Sequence, residues 1–293
     1  MSKKIFLACV TALLFAACSN EPEINDQVEN NTFARVCVHV NGFNVSQEDF
    51  SGTRAAQSLS GYSGINAITL AFYASNGTEV YKTTQNKNEA DFGEFSLSLP
   101  MGSYTMVALA YTTKEGSPFV LTSPTEAAYT GLHAYETFTY TQAVNIINTN
   151  VVDISATLNR IVSMLTVAST DGKVSDVKNV RMTLSAGGKD FNPTTGFALT
   201  NTGFANTVGN SAAVGNTSTS STCLFLATDE QDIDVTIETL NADGDVLFSK
   251  TVTNVPFKRN RVTKLTGKMY TNDAVGGTFQ VETAWLDEET INF

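Results

Sequence analysis

Histidine and tryptophan are nearly missing from this chain. Its 293 residues hold two of the first, His39 and His133, and one of the second, Trp285. Two isolated histidines argue against a zinc site or a Ser-His-Asp triad, which need histidine beside other ligands or partners. No Gly-rich phosphate loop and no G-x-S-x-G elbow is present either. The expectation is therefore no enzyme, no cofactor and no metal. Asp171-Gly172 and Asp243-Gly244-Asp245 resemble fragments of calcium loops, but Asp-Gly is foremost a hairpin turn. Basic residues are scarce too, with 18 Lys and Arg against 29 Asp and Glu and a net charge of −11. Such a surface repels nucleic acid, so no nucleic-acid partner is expected. No amphipathic stripe exceeds about two helical turns. What remains is Thr, Val, Phe, Tyr and Ile in short runs punctuated by turn residues, the pattern of an all-β chain.

The first residues read as instructions for export. Lys3 and Lys4 precede the apolar run Ile5 to Ala17, which ends Leu14-Phe15-Ala16-Ala17-Cys18. A membrane span needs about 20 apolar residues, so this run has the length of a signal-peptide core instead. The cysteine after two small residues is similar to the bacterial lipoprotein signal, although Phe15 stands where leucine is usual. On that reading residues 1–17 are the signal peptide, Cys18 carries acyl chains, and the acidic stretch 18–32 is a tether to the outer membrane. Each buried methylene contributes about 0.8 kcal/mol, and more than one chain holds stably. The alternative is an ordinary secretory signal with a cysteine nearby. Cys9 would leave with the signal, and Cys37 and Cys223 would stay. A disulfide between them is open in an oxidising compartment, while their apolar surroundings favour two separate thiols.

Strand periodicity divides the rest into two tandem β-sandwich domains, transthyretin-like or immunoglobulin-like, over 33–157 and 158–293. The first strand is Phe33 to Val40, with Val36, Val38 and Val40 toward the core and Cys37 and His39 on the other face. Ile68, Leu70 and Phe72 share a face before the tight turn Ser75-Asn76-Gly77, and Phe95, Leu97 and Leu99 form another inward row. Leu99-Pro100-Met101-Gly102-Ser103-Tyr104 turns the chain into a strand that buries Val107 and Leu109. Residues 112–150 are irregular, with Pro118 and Pro124 marking loops and Thr125 to Ala128 open to a helical turn. In the second half Val180, Met182 and Leu184 alternate, residues 186–220 read as exposed loops, and Cys223 to Ala227 as a short strand. Ile233, Val235 and Ile237 lead through Asp243-Gly244 to Val246 and Phe248. Arg261 to Tyr270 and Phe279 to Trp285 are the last strand-like runs, and Asp287-Glu288-Glu289 follows.

Several features then coincide: the lipoprotein signal, the tether, a first strand, and a loop containing Gly52-Thr53-Arg54-Ala55. To these are added Leu158-Asn159-Arg160-Ile161-Val162 at the start of the second half and the run Val255 to Gly267 near its end. In this order they resemble the fimbrillin family, the lipoprotein pilins of type V pili in Gram-negative anaerobes, along essentially the whole chain. The resemblance implies a surface subunit of a fimbrium serving adhesion, with other fimbrial subunits, the outer membrane and an arginine-directed protease as partners. It implies that cleavage between Arg54 and Ala55 removes the first strand, with Val36, Val38 and Val40. It further implies that a neighbour's C-terminal segment fills the slot, with Phe279, Val281 and Trp285 as candidate plugs. Three alternatives stand beside these implications. Arg54 is simply a solvated loop residue, the C-terminal segment is an ordinary last strand, or the protein is an anchor that keeps its first strand. A surface glycan-binding lipoprotein is the rival function, although a single tryptophan offers a poor stacking platform.

Overall fold

The computed structural model describes residues 32–44, 56–59, 62–271 and 280–283. All of its regular elements are β-strands. In chain order the first ten are β1 (Phe33–Asn44), β2 (Ala56–Ser58), β3 (Ala67–Ala74), β4 (Glu79–Asn86), β5 (Glu94–Pro100), β6 (Gly102–Tyr111), β7 (Phe119–Ser123), β8 (Glu126–Tyr129), β9 (Thr137–Ile146) and β10 (Val152–Arg160). Nine more follow: β11 (Ser163–Ser169), β12 (Asn179–Leu184), β13 (Asp190–Phe191), β14 (Phe204–Gly209), β15 (Thr219–Leu224), β16 (Glu230–Leu240), β17 (Val246–Lys258), β18 (Val262–Gly267) and β19 (Gln280–Thr283).

The first sheet has the order β2-β1-β10-β9-β6-β3-β4, with β5 joined to β1. β10 and β9 share only two ladder positions, Asn159 with Thr139 and Arg160 with Phe138. The sheet folds over at that corner, and its two parts enclose one core. Val36 and Val38 from β1, Ile68 and Phe72 from β3, Leu97 from β5 and Leu158 from β10 all meet there. A second sandwich forms from the sheets β15-β11-β18-β19 and β14-β12-β16-β17. Leu165, Val180, Ile237, Phe257 and Leu265 are among the side chains between them. The first core closes at Leu158 and the second opens at Leu165. The architecture is therefore all-β, built of β-sandwiches.

A third apolar cluster explains strand β3. Its residues are buried on both faces from Ala67 to Tyr73. Ile68, Leu70 and Phe72 point into the first core, and Ala67, Ala71 and Tyr73 pack the other way. Val107 and Leu109 of β6 also face outward, against Leu121 and Tyr129 of the β7–β8 hairpin and Phe191 and Phe225 from the second half. That hairpin pairs with β13 in a small three-stranded sheet. Residues Thr125 to Ala128 are thus not a helical turn. Glu126–Tyr129 is a strand because Ala127 and Tyr129 alternate toward this cluster. Residues 186–220 are likewise not all loop, since Phe204–Gly209 pairs with β12. The strand expected over Cys223 to Ala227 begins earlier, at Thr219, and ends at Leu224. Polar residues at inward positions, Asn206 in the one and Ser220 and Thr222 in the other, hid the alternation of these last two strands. The expected hairpin turns are present, with Gly77 and Gly244 in the left-handed region that glycine adopts without a Cβ clash.

Candidate functional site: the first strand and its slot

β1 lies inside the sheet although it is the first strand. On one edge it runs parallel to β10, from Val36 opposite Val152 to Asn44 opposite Asn159. The other edge is shared between β5, antiparallel from Phe33 opposite Pro100 to His39 opposite Glu94, and β2, opposite Gly42 to Asn44. Among the described residues β5 has no other ladder partner.

Its inner face is continuous. Ala34, Val36, Val38, Val40 and Phe43 are all buried. The strand passes the expected end at Val40 because a bulge between Val40 and Gly42 turns Phe43 inward. Asn41-Gly42 looks like a turn pair in sequence, and a bulge uses the same residue types. Phe43 then packs against Tyr62 and Phe138, with ring centroids 5.2 and 4.6 Å apart. Burying each large apolar side chain contributes roughly 1.5–3 kcal/mol, so Val36, Val38, Val40 and Phe43 together contribute on the order of 6–12 kcal/mol. That matches the whole stability of a typical domain, about 5–15 kcal/mol.

Polar groups tie the outer face of β1 to both neighbours. Arg35 Nε donates to Ser96 Oγ at 3.0 Å on the β5 side. His39 Nδ1 pairs with Glu94, and its Nε2 lies 3.9 Å from Asp153 of β10. Asn44 Nδ2 donates to Asn159 Oδ1 at 2.7 Å. These contacts are exposed and individually weak, so they fix register more than stability.

Beyond the end of β1, sequence reasoning missed a second feature. Arg160, the last residue of β10, is buried. Its Nε lies 2.7 Å from Glu136 Oε1, its Nη2 donates to the Tyr62 hydroxyl at 2.8 Å, and its guanidinium covers the Phe138 ring at 5.2 Å. Burial raises the Tyr62 phenol pKa, outweighing the neighbouring Arg160 charge that lowers it. Asn260 accepts a further bond from Arg160 Nη1 at 3.4 Å. Arg160 and Asn260 line a cleft of about 760 Å³ with Asn44, Lys258, Arg259 and Arg261. Both stretches that supply its cations, Leu158 to Val162 and Val255 to Gly267, stood out in the sequence as marks of the family resemblance and not as parts of one site.

The other expected site residues fall elsewhere. Cys18, Arg54, Ala55, Phe279 and Trp285 lie outside the described residues, and Val281 belongs to β19, which pairs antiparallel with β18. Cys37 and Cys223 are free thiols. Burial pushes the Cys223 thiol up to about 12.

Residues 42–292 match the model of a family of unknown function, DUF6562. The chain belongs to the DUF6562 family. No curated protein matches its sequence. Among solved structures, this DUF6562 chain is similar to a candidate polysaccharide-binding protein of DUF1812 from Bacteroides thetaiotaomicron. The TM-score is 0.52 over 87% of this chain and 99% of that one, at 10% identity. It is also similar to the fimbrial anchor protein Mfa2 from Porphyromonas gingivalis, with TM-score 0.51, 86% and 98% coverage and 10% identity. A candidate adhesin from Bacteroides ovatus gives 0.51, 88%, 96% and 9% in the same order. At these identities the likeness is one of fold.

Proposed function

We propose that this protein is a structural subunit of a surface fimbrium, matured by loss of β1 and assembled by strand exchange, with a role in adhesion and no catalytic one. The single observation that carries the reading is the slot. β1 contributes a continuous apolar row and occupies ladder positions on both β5 and β10. Its removal would expose two strand edges and a groove, an arrangement that templates the addition of another strand. The fold shared with a fimbrial anchor protein supports the setting. In this reading Cys18 is lipidated, an arginine-directed protease cuts between Arg54 and Ala55, and the C-terminal segment of a neighbour enters the slot.

The test is limited trypsin digestion of the chain lacking residues 1–17, followed by mass spectrometry and size analysis. Cleavage after Arg54 with a folded body and a ladder of oligomers is the expected outcome. A body that stays monomeric after the cut, or an Arg54 bond that resists it, rejects polymerisation and favours a non-polymerising anchor. Monomeric protein retarded on polysaccharide affinity gels favours the glycan-binding reading instead.

A further inference from the structure

The cleft beyond β1 is cationic in an acidic protein. Three of the chain's six arginines, Arg160, Arg259 and Arg261, line it together with Lys258, against the carboxylates of Asp229 and Glu230. Two ion pairs sit at its lip. Arg259 Nη2 lies 2.6 Å from Asp229 Oδ1, and Lys258 Nζ lies 2.6 Å from Glu230 Oε1. Both carboxylates are about two-thirds exposed, at 69% and 66%. Exposed pairs of this kind are held weakly and exchange for other carboxylates at little cost. The cation side is better fixed, because Arg259 also donates to the Thr195 carbonyl at 2.9 Å and lies over the Phe197 ring at 4.5 Å.

The sequence carries a complementary charge run, Asp287-Glu288-Glu289, shortly after the segment read as the donor strand. We propose that this cleft receives the acidic residues Asp287 to Glu289 of a second copy, and that the contact sets the direction of the incoming strand. The proposal rests on the strand-exchange reading. The ladder between β1 and β10 supplies the arithmetic. Val36 lies opposite Val152, Val38 opposite Ile154, Val40 opposite Ala156, and, after the bulge, Phe43 opposite Leu158. A strand without a bulge, running as β1 runs, with Phe279 opposite Val152, brings Val281 to Ile154 and Thr283 to Ala156. Trp285 then comes to Leu158, in the place of Phe43, and Asp287 comes opposite Arg160, so that the carboxylates after it run on toward the exposed cations of the cleft. A strand running the other way would deliver the same carboxylates to the opposite end of β1. Phe33, Met101, Ile147 and Val151 are exposed apolar residues at or beside that end, and offer no charge to receive them.

The experiment uses trypsin-treated chain and a fluorescent peptide of residues 277–293, compared with the same peptide carrying D287N, E288Q and E289Q. Binding is read by anisotropy at about 50 mM and about 500 mM salt. The acidic peptide is expected to bind about tenfold more tightly at low salt and to lose that advantage at high salt. In K258E/R259E chain the preference reverses toward a D287K/E289K peptide, an exchange that simple misfolding of the variant could not produce. Equal, salt-independent binding of both peptides overturns the cleft contact and leaves strand exchange standing. Failure of both peptides to bind overturns strand exchange, and the cleft contact with it.

Discussion

β1 and β19 make an instructive pair, the first and the last strand described. β1 is paired along both edges and buries five side chains in the first core. β19 is the outermost strand of its sheet and meets β18 over four positions, Thr263 to Thr266. Four ladder positions at the rim contribute little, since a hydrogen bond that replaces one to water nets about 0.5–1.5 kcal/mol. Chain ends on sheet edges open first, whereas interior strands open only with the whole domain. The strand exchange proposed above would use this asymmetry, with the strand given away loosely held and the strand lost firmly held until it is cut.

That contrast can be broken by measurement. The largest effect is expected for Phe43→Ala, which empties the contact with Tyr62 and Phe138 and should cost about 3–5 kcal/mol in denaturant unfolding. A loss below about 1 kcal/mol would mean that β1 is not integral to the first core. Truncation after Thr271 removes β19 and should lower stability by about 2 kcal/mol, up to four ladder bonds at the lower net value of about 0.5 kcal/mol each that suits a sheet edge. A larger loss would contradict the loosely held last strand. The smallest effect is expected for His39→Ala, which removes the exposed ties to Glu94 and Asp153 and should cost under about 1 kcal/mol at pH 7. A larger loss would move the grip on β1 from its apolar row to its polar face.

Buried charge gives a second contrast within the same region. Arg160 and Glu136 are both largely withdrawn from water, unlike the pairs at the cleft lip. Partners in a buried pair depend on each other, because either one alone is a charge without compensation. Arg160 therefore belongs to the corner where β10 meets β9, and the exposed cations beyond it supply the exchangeable charge of the cleft.

Much of the first strand was legible because a pleated strand declares its two faces by alternation. Val36, Val38 and Val40 needed only period two to be assigned inward. Turn chemistry was equally local, as Gly77 and Gly244 show. Phe43 was missed because its inward direction depends on a bulge, and a bulge is a relation between two strands rather than a property of one. Glu126 to Tyr129 and Phe204 to Gly209 were missed for a related reason: their strand character comes from partners that cover or pair with them. The sequence by itself determined an all-β chain with an apolar, alternating first strand, because side-chain alternation and turn preference act over a few residues. Only the tertiary structure decided that this strand lies between β5 and β10. It also decided that Arg160 meets Asn260 a hundred residues away at a cationic cleft, because packing joins positions that no local period relates.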